Sequence, residues 1–473
     1  MNRILTYYIC SLFTMLSCVA QTQIEIINAD KISFDKKNNS ERQVLSGNVK
    51  TKHKNHFMSC DSAYYYANEN KIEAFSKVHI WQGDTLSLIG DYLIYLGNHQ
   101  LAEIKKNVRF KHNEMNLASE QLKYNFKHNK GFFDQKAVIN EKNKSLKSNQ
   151  GIYYTSIEKF DFYNEVVIET EKETLSADTL YYWLENEYAL FKSNGSIENN
   201  EINVKAQSGW VNQKEEKAFI NNNVQITNLD NNSILRADTC YLFNEMNHSI
   251  SYGNTLLSIP LDEDTLYLTA DTLIQKKRSE GNLLEAYPKA NFISINMVGF
   301  CDSLSYSTKE ENLFLNKEPV IWLDQYQLTS DSIRIILNKD LIKVAFLNKS
   351  AFIASEVDSS SFNQISGENM KAYFHENELS NIEVIGNGES IYYVEDEKKS
   401  EVVGVNKIIC SNMNIIIRRR KIKNINFYKE PDALLYPISK TNLNDLLLKG
   451  FTWRNKSHIE NTIQGKMDKY HLF

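Results

Sequence analysis

Along most of the chain the apolar residues fall on alternate positions, in short runs whose phase flips at regular intervals. Alternation of this kind marks a β-strand with one buried face. The run Leu175-Ser176-Ala177-Asp178-Thr179-Leu180-Tyr181-Tyr182 shows the unit clearly: an apolar residue, a small residue, an Asp-like slot, then Ser or Thr and alternating apolar or aromatic residues. The Asp-like slot recurs as Asp30, Asp61, Asp91, Glu120, Asn149, Asp178, Gln207, Asp238, Asp271, Asp302, Asp331, Glu368 and Ser411, mostly about 30 residues apart, so the chain holds roughly thirteen copies of one strand unit.

The position before the slot is always small: Ala29, Cys60, Gly90, Ser119, Ser148, Ala177, Ala206, Ala237, Ala270, Cys301, Ser330, Gly367 and Cys410. Three residues before it stand Leu or other aliphatics such as Met58, Leu88, Leu117 and Leu328, with Gly299 as the exception. Two and four residues after it come pairs such as Ile32/Phe34, Leu93/Tyr95, Leu122/Tyr124, Leu180/Tyr182 and Leu304/Tyr306. These two sets are out of phase, and a straight strand cannot bury both. A bend or bulge at the Asp resolves the conflict, letting one strand line two walls of a wrapped sheet. The Asp and the Ser or Thr after it are suited to bonding backbone groups freed at such a corner. Further on in each unit comes a turn-prone pair followed by Val, as in Gly47-Asn48-Val49, Ser76-Lys77-Val78, Lys106-Asn107-Val108, Asn164-Glu165-Val166 and Asn222-Asn223-Val224, which predicts the start of a returning strand. The expected architecture is all-β: an elongated solenoid of these units over residues 21–428. A tail over 429–473 follows, with a short helix from Thr441 to Leu448 and frayed residues after Trp453.

Composition agrees, with 26 Tyr and 23 Phe against 5 Pro; aromatic residues favour strands and Pro removes ladder donors. A net charge of -5, spread without long single-sign blocks, supplies no broad positive field for nucleic acid. Residues 1–20 read as a secretory leader: Arg3, the apolar run Ile4 to Leu16, and small residues before Gln21. The alternative is a lipobox at Met15-Leu16-Ser17-Cys18, which would leave Cys18 lipid-anchored. Three of the remaining cysteines, Cys60, Cys301 and Cys410, occupy the small slot, and Cys240 takes an aliphatic one, which predicts buried free thiols.

The repeated Leu-x-Ala-Asp-x-Leu-x-Tyr and Gly-Asn-Val signatures, over about Ile24 to Phe427, resemble the OstA-like (organic solvent tolerance) family, which includes the lipopolysaccharide-transport protein LptA and the N-terminal domain of LptD. The resemblance implies a twisted β-jellyroll open along one edge, whose apolar interior shelters the acyl chains of lipid A. It further implies a non-enzymatic periplasmic protein of outer-membrane biogenesis that uses no cofactor. Its partners would be lipopolysaccharide and transport components at the inner and outer membranes, joined by end-to-end strand pairing. A chain this long without a following barrel looks like the OstA-like proteins of Bacteroidetes. On that reading Phe34, Tyr65, Leu93, Tyr95, Leu122, Tyr124, Tyr153, Leu180, Tyr182 and Tyr306 are candidates to line the groove; from the residues alone they equally suit a closed dry core.

Other candidate chemistry is weaker. The Asp ladder lacks the glycine-rich nonapeptide of calcium-binding β-rolls, which leaves corner bonding as its role. The histidines, His53, His56, His79, His99, His112 and His128 among them, show no metal-ligand spacing and read as solvated. Arg418-Arg419-Arg420-Lys421 with Lys423, and Lys276-Lys277-Arg278, read as solvated faces or as contacts for lipid phosphate. A polysaccharide-active β-helix enzyme and a structural spacer or adhesin are the rival functions; the enzyme needs one rung with unusual acids, and no copy stands out.

Overall fold

In every second long strand two consecutive residues adopt left-handed backbone angles in mid-strand: Ser76 and Lys77 (φ 61 and 49), Ser193 and Asn194 (62 and 51), Asn222 and Asn223 (63 and 54). Ser76-Lys77 and Asn222-Asn223 are turn-prone pairs of the sequence, Ser193-Asn194 follows the same pattern, and none of them opens a new strand. Lys71–Gln82, Tyr188–Glu198 and Lys217–Asn228 each run unbroken through their pair. The expectation of a separate returning strand is corrected here. The pair turns one strand through a corner instead, which Asn and Gly tolerate best because left-handed angles cost them least.

The computed structural model describes residues 22–35, 42–243, 248–338, 341–395, 402–429, 431–437 and 446–471. The leader through Gln21, with Cys10 and Cys18, lies outside them, as do residues 441–445 of the expected tail helix. The chain divides into two units, Met1–Ile168 and Glu169–Phe473, both built of antiparallel strands.

In the first unit His56–Tyr66, Lys71–Gln82, Leu86–Leu96, Leu101–His112 and Met115–Asn125 pair in chain order. Each is bent at its middle, so residues before the Asp slot belong to a first wall and those after it to a second. Beyond Asn125 the walls are made by shorter strands. Lys130–Phe133 and Gln150–Tyr154 pair in the second wall, Ala137–Glu141 and Lys144–Ser148 in the first.

The second unit repeats the bent strands from Thr174–Trp183 to Ile234–Phe243, and there the walls part. Ile234–Phe243 pairs with His248–Tyr252 in the second wall and with Leu256–Pro260 in the first. They stay separate until Leu341–Asp358 pairs with both Ser332–Asn338 and Tyr326–Thr329.

The register shows how the phase conflict is resolved. Thr179 pairs with Lys192 and Ser176 with Ser196, so three residues face two, and the extra one lies on the strand carrying the left-handed pair. Both apolar sets are then buried: Leu175, Ala177, Leu180 and Tyr182 are all 5% exposed or less. The Asp slot bonds mainly across the corner to the next strand. Asn48, Asn107, Asn194 and Asn254 donate side-chain N–H to Asp30, Asp91, Asp178 and Asp238 at 2.9, 2.6, 2.6 and 2.6 Å. Where Gly opens the pair the carboxylate folds over it: a Cβ on Gly47 would collide with Asp30 Oδ2. These carboxylates serve the corner.

The corner pairs are solvent-facing while the small slot is not. Asp178→Ala is expected to cost less than about 1 kcal/mol. Ala237→Leu, at a position with no exposure, is expected to cost about 1–3 kcal/mol by overpacking. Urea unfolding midpoints of the two variants check this order. Cys60, Cys240, Cys301 and Cys410 are buried free thiols, and burial pushes the first three up to about 12.

The C-terminal residues depart most from expectation. Strand Asp432–Pro437 still pairs with Val402–Arg418, and Ser457–Lys469, where fraying was expected, is an α-helix. Residues 446–471 lie along the outer face of the first wall, opposite the inward Leu257, Leu268 and Leu328. Leu446 and Leu448 pack with Phe352, Ala354, Ile391, Tyr393 and Val405. Ile459 and Ile463 of the helix pack on Leu256, Val298, Val320 and Trp322. Two buried glutamines hold the extended part by its backbone. Gln364 donates to Leu446 O (3.0 Å) and accepts from Leu448 N (2.9 Å); Gln327 donates to Thr452 O (2.6 Å) and accepts from Arg454 N (2.8 Å). Both amide ends are satisfied, as burial requires.

Candidate functional site: a trough with a bridged mouth

Two walls joined along the Asp corner make a trough whose floor is the corner and whose mouth lies between the hairpin tips of the walls. Inward positions alternate with outward ones on both walls, which places the candidate groove residues inside. In the first unit Tyr65, Leu93, Tyr95, Leu122, Tyr124 and Tyr153 are at most 5% exposed. Their interior is close-packed: Phe160 stacks on Tyr153 at 4.2 Å and on Phe162 at 4.8 Å between ring centroids. In the second unit Leu180 and Tyr182 have no exposure, and Tyr306 is partly exposed. Phe34 is 76% exposed; it sits on the first rung of the described residues, paired on one side only, with Arg42–His53.

The tyrosines four residues after the Asp slot do more than fill space, since their hydroxyls reach across toward the first wall's tips. Tyr153 meets His112 Nδ1 at 2.9 Å, and Tyr95 meets both His53 Nδ1 and His56 Nε2 at 2.6 Å. The reading of His53 and His56 as solvated is therefore corrected. They are 3% and 5% exposed, because they continue the inward alternations Val49-x-Thr51-x-His53 and His56-x-Met58-x-Cys60 into the hairpin. That alternation was the signal that could have found them.

The same cluster holds the start of the described chain. His53 Nε2 bonds Thr22 O at 2.8 Å, Asn70 accepts from Ile24 N at 2.9 Å and donates to Thr22 O at 3.1 Å. A neutral arrangement satisfies all three bonds: His53 Nε2–H donates to Thr22, Tyr95 donates to His53 Nδ1, and His56 Nε2–H donates to the Tyr95 oxygen. Burial lowers His56 to about 4, with His53 and Lys54 acting in the same direction. Burial likewise lowers His53, partly opposed by its bond to Thr22 and by Glu25. An imidazole with a depressed folded pKa binds fewer protons folded than unfolded, so stability is full above about 6.5 and falls as pH drops toward 4. The loss from His56 is expected to be about 3 kcal/mol across that window. His56→Gln keeps a donor for Tyr95 and should flatten the pH dependence of the melting temperature; an unchanged slope would refute the assignment.

Polar pairs bridge the mouth in both units. In the first, Asn113 on a first-wall tip donates to Glu158 on a second-wall tip at 2.7 Å. In the second, Gln213 donates to Glu173 at 3.0 Å, Lys277 pairs with Glu201 at 2.6 Å, and Arg420 pairs with Asp324 at 2.8 Å. The basic clusters are thus partly engaged: Lys276 pairs with Glu285 at 3.1 Å, and Arg420 belongs to the bridge. The mouth is tied by solvent-facing contacts, each worth about 0–1 kcal/mol, so local opening is cheap.

The trough of the second unit is not filled everywhere. Where the walls part, a cavity of about 140 Å³ is lined by Ile202, Leu235, Leu242, Leu283, Leu284 and Tyr306 among others, with Lys276 and Lys277 beside them. A second, of about 210 Å³, lies behind the Arg420 bridge. Among the described residues no group of three or more His, Cys, Asp or Glu is placed to hold a metal ion.

Residues 21–179 match the family model described as OstA-like protein. None of the curated proteins compared matches. Among solved structures, the crystal structure of LptH, "the LptA homologous periplasmic component of the conserved lipopolysaccharide transport device from Pseudomonas aeruginosa", is 12% identical over 30% of this chain and 80% of that one, with a TM-score of 0.15. A superposition that loose carries no argument about this fold.

Proposed function

We propose, from the match of residues 21–179 to the OstA-like family model, that this chain is a non-enzymatic periplasmic protein that binds lipopolysaccharide and passes it toward the outer membrane. The observation that carries the reading is the two-walled trough, apolar inside, tied at its mouth by weak polar pairs and unfilled where its walls part. Acyl chains of lipid A lie against the inward aliphatic and aromatic positions and gain about 0.8 kcal/mol for each buried methylene. Sugars and phosphates stay at the mouth, where Lys276 and Lys277 stand beside the cavity. Entry requires only that bridges such as Lys277 with Glu201 let go locally. The candidate lining residues of the first unit, Tyr65 to Tyr153, are the closed state of the trough, and Tyr306 is at an open place. Proteins of the same transport path pair with the first and last described strands, whose apolar residues are uncovered: Ile27 (54% exposed) and Phe34 (76%) in the first unit, Leu434 (53%) and Leu435 (68%) in the second.

The test is photo-crosslinking in the protein's own envelope. Benzoylphenylalanine at Leu284 or Tyr306, which pair across neighbouring strands inside the trough, should give lipopolysaccharide adducts on native mass spectrometry, and at Tyr241, on the outer face, it should not. Adducts at none of the three, or at Tyr241 as readily as inside, would sink the reading.

A further inference from the structure

We propose that the hairpin tip Arg418–Lys421 and the cavity behind it bind one alkyl chain of an anionic amphiphile, the chain in the cavity and a phosphate at the tip. The transport reading supplies the ligand class; what is added is a headgroup site and the exchange that opens it.

Four observations converge. The cavity of about 210 Å³ is walled by inward aliphatics of both walls, Ile353 and Ile365 on one side and Ile382, Ile415, Ile417 and Ile425 on the other, and Arg420 and Lys421 line it as well. Apolar walls with cations on the same surface suit an alkyl chain carrying an anion. Second, Ser390 lines the cavity at 3% exposure and its hydroxyl has no hydrogen-bond partner. A filled core does not leave such a hydroxyl unpaired, which marks the space as one the chain itself does not pack. Third, Arg419 and Arg420 sit at the turn with left-handed angles (φ 50 and 63), a conformation the hairpin holds, so both guanidinium stems leave a fixed backbone.

Fourth, the tip is held shut by an exchangeable bond. Arg420 Nε pairs with Asp324 at 2.8 Å and lies 3.9 Å from Glu378, its side chain 59% exposed. Its carbonyl accepts from Gln325 at 3.1 Å and from Tyr326 at 3.5 Å. A carboxylate held in solvent contributes little, whereas a phosphate accepts from a guanidinium fork in a bidentate way. The arriving headgroup takes the place of Asp324, the first-wall tip is released, and the chain enters behind it. Asp324 is both latch and competitor: removing its charge should strengthen binding while removing Arg420 should weaken it.

Isothermal titration of the full chain tests this with three probes: dodecyl phosphate below its micellar range, dodecyl maltoside with the same chain, and inorganic phosphate. Dodecyl phosphate should bind at least about tenfold more tightly than either, because only it satisfies both parts of the site. Arg420→Ala should weaken it about tenfold, Asp324→Asn should tighten it about threefold, and Ile417→Trp, which fills the cavity, should weaken it without changing the response to inorganic phosphate. Equal binding of the maltoside, or an Asp324→Asn chain that binds no more tightly than the unchanged one, overturns the proposal. Asp324→Asn guards against misfolding, since its expected effect is a gain. The crosslinking at Leu284 and Tyr306 reads a different cavity: adducts there with a failed titration sink only this site, and a successful titration without adducts sinks only the transport reading.

Discussion

Replacing both Ile459 and Ile463 with aspartate will release the C-terminal helix and expose the outer face of the first wall. Each isoleucine is buried, at 1% and 2% exposure, against Leu256, Val298, Val320 and Trp322. A carboxylate there is stripped of water within an apolar contact, so the docked state loses about 3–5 kcal/mol per site. The measured loss is capped by the docking energy itself, because past that point the helix simply leaves. Once released it will not stay helical: Ser457–Lys469 has 13 residues, and isolated helices of about that length are marginal in water. The expected readout is a fall in helical circular dichroism and a red shift of Trp322 emission. Since Lys469 reaches Asp238 at 2.6 Å and the Tyr470 hydroxyl reaches Asn254 O at 2.8 Å, the loss should carry to the corner at Asp238. Unaltered Trp emission in the double variant would show that the helix does not sit where described.

Phe160→Ala will destabilise the first unit by about 3–5 kcal/mol, as expected for an aromatic ring removed from a filled core. Phe160 has no exposure and lies between Tyr153 and Phe162 in an unbroken stack, so nothing can move into the space without breaking a second contact. Tyr153→Phe is the companion variant: it keeps the ring and loses only the bond to His112, for about 1 kcal/mol. Denaturant unfolding separates the two. If Phe160→Ala costs less than Tyr153→Phe, the first unit is a loose groove that collapses on itself, and the description of a packed closed trough fails there.

Much of this was legible in the chain. Period two on each side of the Asp slot, with its phase flip, announced strands that change walls at a corner, because side-chain direction in a strand follows position by geometry alone. The small slot announced close approach at that corner, and it is where Ala237 and Cys301 are buried. Even the burial of His53 and His56 was written in the alternation, hidden only by the habit of assigning polar residues near a turn to solvent. The turn-prone pairs mislead for a related reason. Asn222-Asn223 in isolation suits a hairpin, and only the facing strand, which supplies one residue opposite two, makes it a mid-strand bulge.

What the sequence by itself determined, then, is the repeat and the face each residue shows, since both depend on neighbours a few positions away. The tertiary structure alone decided what meets across the trough and along its back. Arg420 finds Asp324 and Lys469 finds Asp238 through the stacking of many units, whose accumulated twist and register no local pattern encodes. The C-terminal residues are the clearest case: their stripe Ile459, Ile463, Met467 and Tyr470 is too sparse to predict a stable helix from propensity. It becomes one because an apolar outer face, built by strands far earlier in the chain, is there to receive it.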